Sequence, residues 1–165
     1  MSDVAALPTG MSAYLERAVE AGRAGMLAHR GGPFGAVIVG PDGEVVGEGC
    51  NCVTSSNDPT AHAEVSAIRD ACARLGTFLL GGCVLYTSCE PCPMCLAAAY
   101  WARLDEIVFG ATREDAARAG FDDAFIYDEM PLAPQERHLP MRNAGRAEAA
   151  VLFDEWLAME GRTPY

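Results

Sequence analysis

The chain has 165 residues, which fits one domain with a normal core, because a chain of this size buries roughly 70% of the surface it exposes when unfolded. Half of its residues are apolar and 21% are charged, the composition of a globular protein rather than a disordered or membrane-embedded one. Twelve basic residues, every one an arginine, face 23 acidic ones for a net charge of −11, so the surface repels a phosphate backbone on average and argues against a nucleic-acid partner.

Residues 1–10 read as an irregular lead-in broken by Pro8 and Gly10. They lack the basic start and apolar core of a signal peptide. Ser12 is placed to cap a helix running to about His29, with Met11, Leu15, Val19, Gly22 and Met26 as its buried stripe. Gly31-Gly32-Pro33 ends it. Phe34 to Gly40 reads as a buried strand, Pro41-Asp42-Gly43 as a turn, and Glu44 to Cys50 as the second strand of a hairpin. Asn51 stands where that strand ends. Alternation along a strand turns its side chain away from the face shared by Cys50 and Cys52. Residues 53–60 are polar and turn-rich.

A helix is expected from near Ala61 to Leu75, with Val65, Ile68, Cys72 and Leu75 as its core face and Gly76 just past its end. Val84 to Ser88 is a strand, Pro93 to about Trp101 a helix, and Glu106 to Ala111 a further strand. Thr112 and Asp115 can form a capping pair for a short helix ending at Gly120. Phe121-Asp122-Asp123-Ala124-Phe125 reads, from its residues alone, as a solvated turn. Residues 131–142 look irregular. Ala144 to Glu160 is a last helix with an apolar stripe of Ala149, Leu152, Phe153, Trp156 and Met159. This order predicts an α/β fold: a three-layer α/β/α sandwich around a mixed sheet. The longest apolar run, Cys95 to Ala102, is too short to span a bilayer, so no membrane role is expected.

Two short stretches carry the chemistry. Cys92 and Cys95 are spaced to grip one ion from one helical turn, and His62 offers a third ligand. Three protein ligands leave a tetrahedral position open, as in catalytic zinc sites. Glu64 is then free to carry protons. His62 and Glu64 are two apart and diverge by about 200° on an ideal helix, so they share a site only if it lies off the helix N-terminus. His-x-Glu followed after about thirty residues by Pro-Cys-x-x-Cys is the zinc deaminase signature. Two other readings compete. Cys92 and Cys95 can be a redox dithiol, or Cys89 can close a structural zinc site as a fourth ligand. Cys72 and Cys83 read as small core residues. Free thiols and a thiolate site suit a reducing compartment, so a cytoplasmic protein is expected.

The chain resembles the bacterial guanine deaminases of the cytidine deaminase superfamily. The matching stretches are Gly32 to Val39, Asn57 to Glu64, Leu85 to Cys95, Tyr100 to Arg103 and Ala119 to Asp123. The zinc motif belongs to the whole superfamily, while Ala119-Gly-Phe-Asp-Asp123 is particular to the guanine branch. The resemblance implies Zn2+ on His62, Cys92 and Cys95, with Glu64 as proton shuttle and Asp123 as a second acid–base residue. It implies that Asn51, Phe34, Ala63, Trp101 and Tyr165 contact or line the site of a small purine substrate. It also implies one deaminase domain over 1–165 and a homodimer that exchanges a C-terminal segment, about 144–165. The expected reaction is guanine and water to xanthine and ammonia. The rivals are a tRNA adenosine deaminase and a deaminase of cytosine, cytidine or an aminated triazine.

Overall fold

The computed structural model describes residues 9–165, with side chains from Ala13 onward. The lead-in 1–8 and the side chain of Met11 lie outside the described residues. The elements run α1 (Thr9–Leu27), β1 (Gly35–Val39), β2 (Val45–Cys50), α2 (Val53–Ser56), α3 (Ala63–Leu75), β3 (Val84–Cys89), α4 (Pro93–Ala102), β4 (Glu106–Ala111), α5 (Arg113–Arg118), α6 (Ala124–Glu129) and α7 (Arg146–Ala158). Two compact units result, one ending at Asp123 and one covering Ala124–Tyr165.

The first unit holds a four-stranded sheet in the order β2-β1-β3-β4. β1 pairs antiparallel with both β2 and β3, and β3 pairs parallel with β4. The parallel pair is joined through α4, as parallel neighbours require a crossover. β1 is buried along its whole length, which is why it reads as an unbroken apolar run. Its alternate side chains feed two cores. Val37 and Val39 pack with Ala18, Tyr86 and Val108 on the α1 face. Ala36 and Ile38 pack with Leu85, Ala63, Ala67, Ala71 and Ala102 on the α3–α4 face. The expected α/β/α layering around a mixed sheet is therefore what forms.

The helix faces differ from the expected stripes. α1 starts before Ser12, so Ser12 lies within the helix and does not cap it. Val19 and Met26 are 38% and 41% exposed, while Ala18 is fully buried. In α3 the buried residues are Ala63, Glu64, Ala67 and Ala71, and Leu75 is exposed. The reason is close approach. A Cβ on Gly35 would lie 2.1 Å from the Ala18 carbonyl oxygen. One on Gly47 or Gly49 would lie 2.5 Å from the carbonyl of Ala67 or Ala63. Strand glycines let helix backbone rest on sheet backbone, so alanines and glycines occupy the contact and bulkier side chains rotate outward.

α5 opens with the expected capping box: Thr112 accepts from the Asp115 N–H, and Asp115 accepts from the Thr112 N–H. α2 forms within 53–60, where only turns were expected. Its end is closed by Asn57 in the left-handed region at φ 50°. In the second unit, α6 begins inside the expected turn, and Arg137 donates to the carbonyls of Met130 and Leu132. α7 buries none of its residues: Leu152 and Phe153 are 67% and 71% exposed. No helix among the described residues is long and apolar enough to cross a membrane.

Candidate active site

The N-termini of α3 and α4 deliver the chemistry. His62 is the residue before α3, in extended conformation, and Cys92 holds the same position before α4. Pro93 supplies the first residue of α4, a place where its missing N–H costs nothing. His62 is thus a cap rather than a helical residue, which lets it and Glu64 line one cavity despite their spacing.

His62 Nδ1 lies 3.5 Å from Cys92 Sγ and 3.5 Å from Cys95 Sγ. Bond lengths of about 2.0–2.1 Å to nitrogen and 2.3 Å to sulfur give a tetrahedral N···S edge of about 3.5 Å. The donor atoms of His62, Cys92 and Cys95 all fall within 4.8 Å of one another, so the residues fit a zinc ion. Their charges fit as well. Cys92 is held down at about 4, chiefly by the Cys95 thiol, with His62 adding to the effect. The same contact, with burial and the Glu64 carboxylate, pushes Cys95 up. His62 is raised mainly by its contact with Cys92. Cys92 is thus the sulfur readier to ionise and Cys95 the one that holds its proton, which a bound dication would displace, since it deprotonates a coordinating thiol outright.

Cys89 does not join this group. Its thiol donates to the Thr112 carbonyl at 3.5 Å, and burial pushes it up to about 11. A closed four-ligand site is therefore not what this arrangement forms.

Glu64 is buried, and burial raises its carboxyl above the ordinary glutamate range. Oε1 accepts from Thr87 Oγ1 and Oε2 from the Cys95 thiol, both at 3.4 Å, so the carboxyl stands against the ligand cluster. Asn51 is buried with its orientation fixed. Its Oδ1 accepts from the N–H groups of Gly32 and Val53, both at 3.2 Å. That assigns the amide: the acceptor is occupied by backbone, and the NH2 group is the end available to a ligand.

The cavity holds about 310 Å³, at the small end of the roughly 300–1,000 Å³ of ligand pockets, and suits a small flat heterocycle. Phe34, Asn51, His62, Glu64, Cys92 and Asp123 all line it. Phe34 is met edge-on by Phe121, with ring centroids 4.9 Å apart at 84°. Asp123 is half-buried, and burial followed by the Cys92 charge raises its carboxyl. The solvated turn expected at 121–125 is corrected here, since Phe121, Asp122 and Asp123 form a wall of the cavity.

The other residues expected at the site stand outside this lining. Trp101 does not line this cavity; it stands 62% exposed with the Arg103 guanidinium 5.8 Å from its ring centroid. It sits about 9 Å further along α4 than Cys95, at 1.5 Å per residue. The Ala63 side chain is fully buried in the core, which leaves only its backbone for any substrate contact. Tyr165 belongs to the second unit and is 74% exposed. Glu90 and Arg113 line the cavity unanticipated, paired at 2.5 Å. Glu90 stands inside the Cys-Glu-Pro-Cys run, but a lone acidic residue there gave no hint that an arginine 23 residues later meets it.

Metal donors at two helix N-termini, a buried carboxylate against them and a small pocket beside them define a class, the zinc-dependent deaminases. Residues 9–111 match the cytidine and deoxycytidylate deaminase zinc-binding region, and the chain belongs to that family. It is 51% identical to guanine deaminase from Bacillus subtilis over 152 residues, 92% of this chain and 97% of that protein. The crystal structure of that enzyme superposes with a TM-score of 0.90, covering 93% of this chain and 98% of the other, also at 51% identity. A guanine deaminase from Nitrosomonas europaea matches at 30% identity and a TM-score of 0.64, covering 74% of this chain and 79% of that one. The tRNA-specific adenosine deaminase of Aquifex aeolicus is 44% identical over 101 residues, 61% of this chain and 65% of that protein.

Proposed function

We propose that this enzyme hydrolyses guanine to xanthine and ammonia, in purine metabolism. The observation that carries the choice of substrate is the extent of relationship. Likeness to the Bacillus subtilis guanine deaminase covers 92% of the chain, against 61% for the Aquifex aeolicus tRNA enzyme. The Asn51 amide supports it. Guanine offers two neighbouring acceptors, N7 and O6, whereas adenine offers an acceptor beside a donor. A fixed NH2 group suits the former.

His62, Cys92 and Cys95 hold the zinc ion. When bound, zinc supplies the acidification that makes water a nucleophile near neutral pH. Glu64 takes a proton from the attacking water as oxygen adds to C2 of the purine. The same carboxyl then protonates the adjacent ring nitrogen. As the C2–N bond breaks, Glu64 or Asp123 delivers the proton that lets ammonia leave. Phe34, propped by Phe121, packs against the ring, and the Ala63 backbone borders it. Asn51 fixes the orientation.

The working unit is a homodimer in which about residues 144–165 are exchanged, carrying Tyr165 with them. The exposed apolar side chains of α7 support this, since such a surface calls for a cover. Five free thiols beside a thiolate metal site support a reducing compartment, the cytoplasm.

Ammonia release from guanine, cytosine, cytidine, ammeline and adenosine-bearing tRNA tests the reading. Guanine as the fastest substrate is expected. Turnover confined to adenosine in tRNA overturns it.

A further inference from the structure

Asn51, just past the end of β2, has a cysteine on each side of it. Cys50 and Cys52 turn away from the cavity together, and their sulfurs lie 3.7 Å apart. That is non-bonded contact, since a disulfide requires about 2.05 Å. Both are only half-buried. Arg30 Nη1 lies 3.9 Å from Cys50 Sγ. Cys50 and Arg30 also border a separate groove of about 620 Å³, floored by Gly25 and Gly49, which gives small molecules access. The deamination chemistry uses neither sulfur.

We propose that Cys50 and Cys52 form a reactive dithiol site that is oxidised by small disulfides and, when closed, disengages Asn51. One thiolate attacks a sulfur of the small disulfide, forming a mixed disulfide and expelling one small thiol. The second cysteine attacks the protein sulfur of that bond, forming Cys50–Cys52 and releasing the second small thiol. Two protein thiols are oxidised and one small disulfide is reduced to two thiols, so electrons and protons balance.

The consequence follows from where Asn51 is pinned. Its N–H donates to the Phe34 carbonyl and the Cys52 N–H to the Ala61 carbonyl, both at 2.9 Å. Its side chain holds Gly32 and Val53. Drawing the two sulfurs together from 3.7 Å rotates the backbone between them, and that backbone is Asn51. The amide then leaves its two donors and loses its aim. This coupling rests on the reading of Asn51 as the purine's donor; formation of the bond does not.

The test uses the zinc-loaded full chain, treated with oxidised or reduced glutathione and then digested after arginine. Arg30 and Arg69 bracket a peptide whose only cysteines are Cys50 and Cys52. The zinc-ligating cysteines fall in Leu75–Arg103. Expected is loss of two hydrogens from peptide 31–69, with peptide 75–103 unchanged and zinc retained. KM for guanine rises about tenfold, the scale of one lost hydrogen bond, while kcat moves less, and dithiothreitol restores both. Cys50→Ser and Cys52→Ser keep basal activity and lose the response. A stable glutathione adduct, or unchanged peptide 31–69, overturns the dithiol site. Closure with KM unmoved overturns the coupling to Asn51. Closure in a protein that does not deaminate guanine leaves the dithiol standing and sinks the proposed function instead.

Discussion

Glu64 has two duties that separate by substitution. As a carboxylate it moves protons; as a side chain it fills space against Thr87 and Cys95. Glu64→Gln keeps the shape and removes the base. The variant is expected to bind a full equivalent of zinc by metal analysis and to lose at least 10²-fold in kcat, roughly the scale of general acid–base catalysis. A near-normal rate would end the mechanism. Asn51→Ala abandons two backbone donors in a buried setting, at about 1–3 kcal/mol each when no water replaces the acceptor. It is therefore expected to lower Tm as well as raise KM, measured by calorimetry and steady-state kinetics. The metal-ligand set and Glu64 were legible because their residue types and spacing are the signal, whereas Phe34 and Asn51, which also line the cavity, came only from the family resemblance. Glu90 and Arg113 were not, because only folding brings the start of α5 against the loop before α4. Trp101 lies outside the lining of this cavity, and nothing in a sequence tells how far along α4 the cavity reaches.

At the scale of elements, the strands and most helices were legible, as were the hairpin and the Thr112 capping box. The buried faces were legible only in part: Gly22, Ile68 and Cys72 do pack inward. Apolar periodicity weighs bulk, so it pointed to Val19, Met26 and Leu75, whereas α1 and α3 dock through alanine and glycine. Short α2 and α6 were missed for a related reason: four or six residues carry too little periodicity to register. The docking mode predicts unequal costs. Gly35→Ala drives a methyl against the Ala18 carbonyl and the Gly22 backbone, neither of which can rotate away. It is expected to cost about 1–3 kcal/mol or more by denaturant unfolding. Gly81→Ala, where a Cβ would meet nothing within 4 Å, is expected to change stability little.

For the whole molecule, charge argued against a nucleic-acid partner at the outset, but it carries no information on fold or assembly. The last helix was read as carrying an apolar stripe, and its Leu152, Phe153 and Met159 are all exposed. A sequence shows that a stripe wants cover without showing which surface supplies it. If α7 is exchanged between subunits, a chain ending at Asn143 should be monomeric by light scattering and impaired with guanine. A truncated chain that stays dimeric and fully active would refute the exchange.

The seating of α3 on Gly47 and Gly49 reaches further than stability. Main chain against main chain has no rotamers to yield, so the gape of the jaw that grips the ion is set by peptide geometry rather than by compliant side chains. The start of α3, where His62 and Glu64 stand, is thereby anchored to the sheet peptide to peptide.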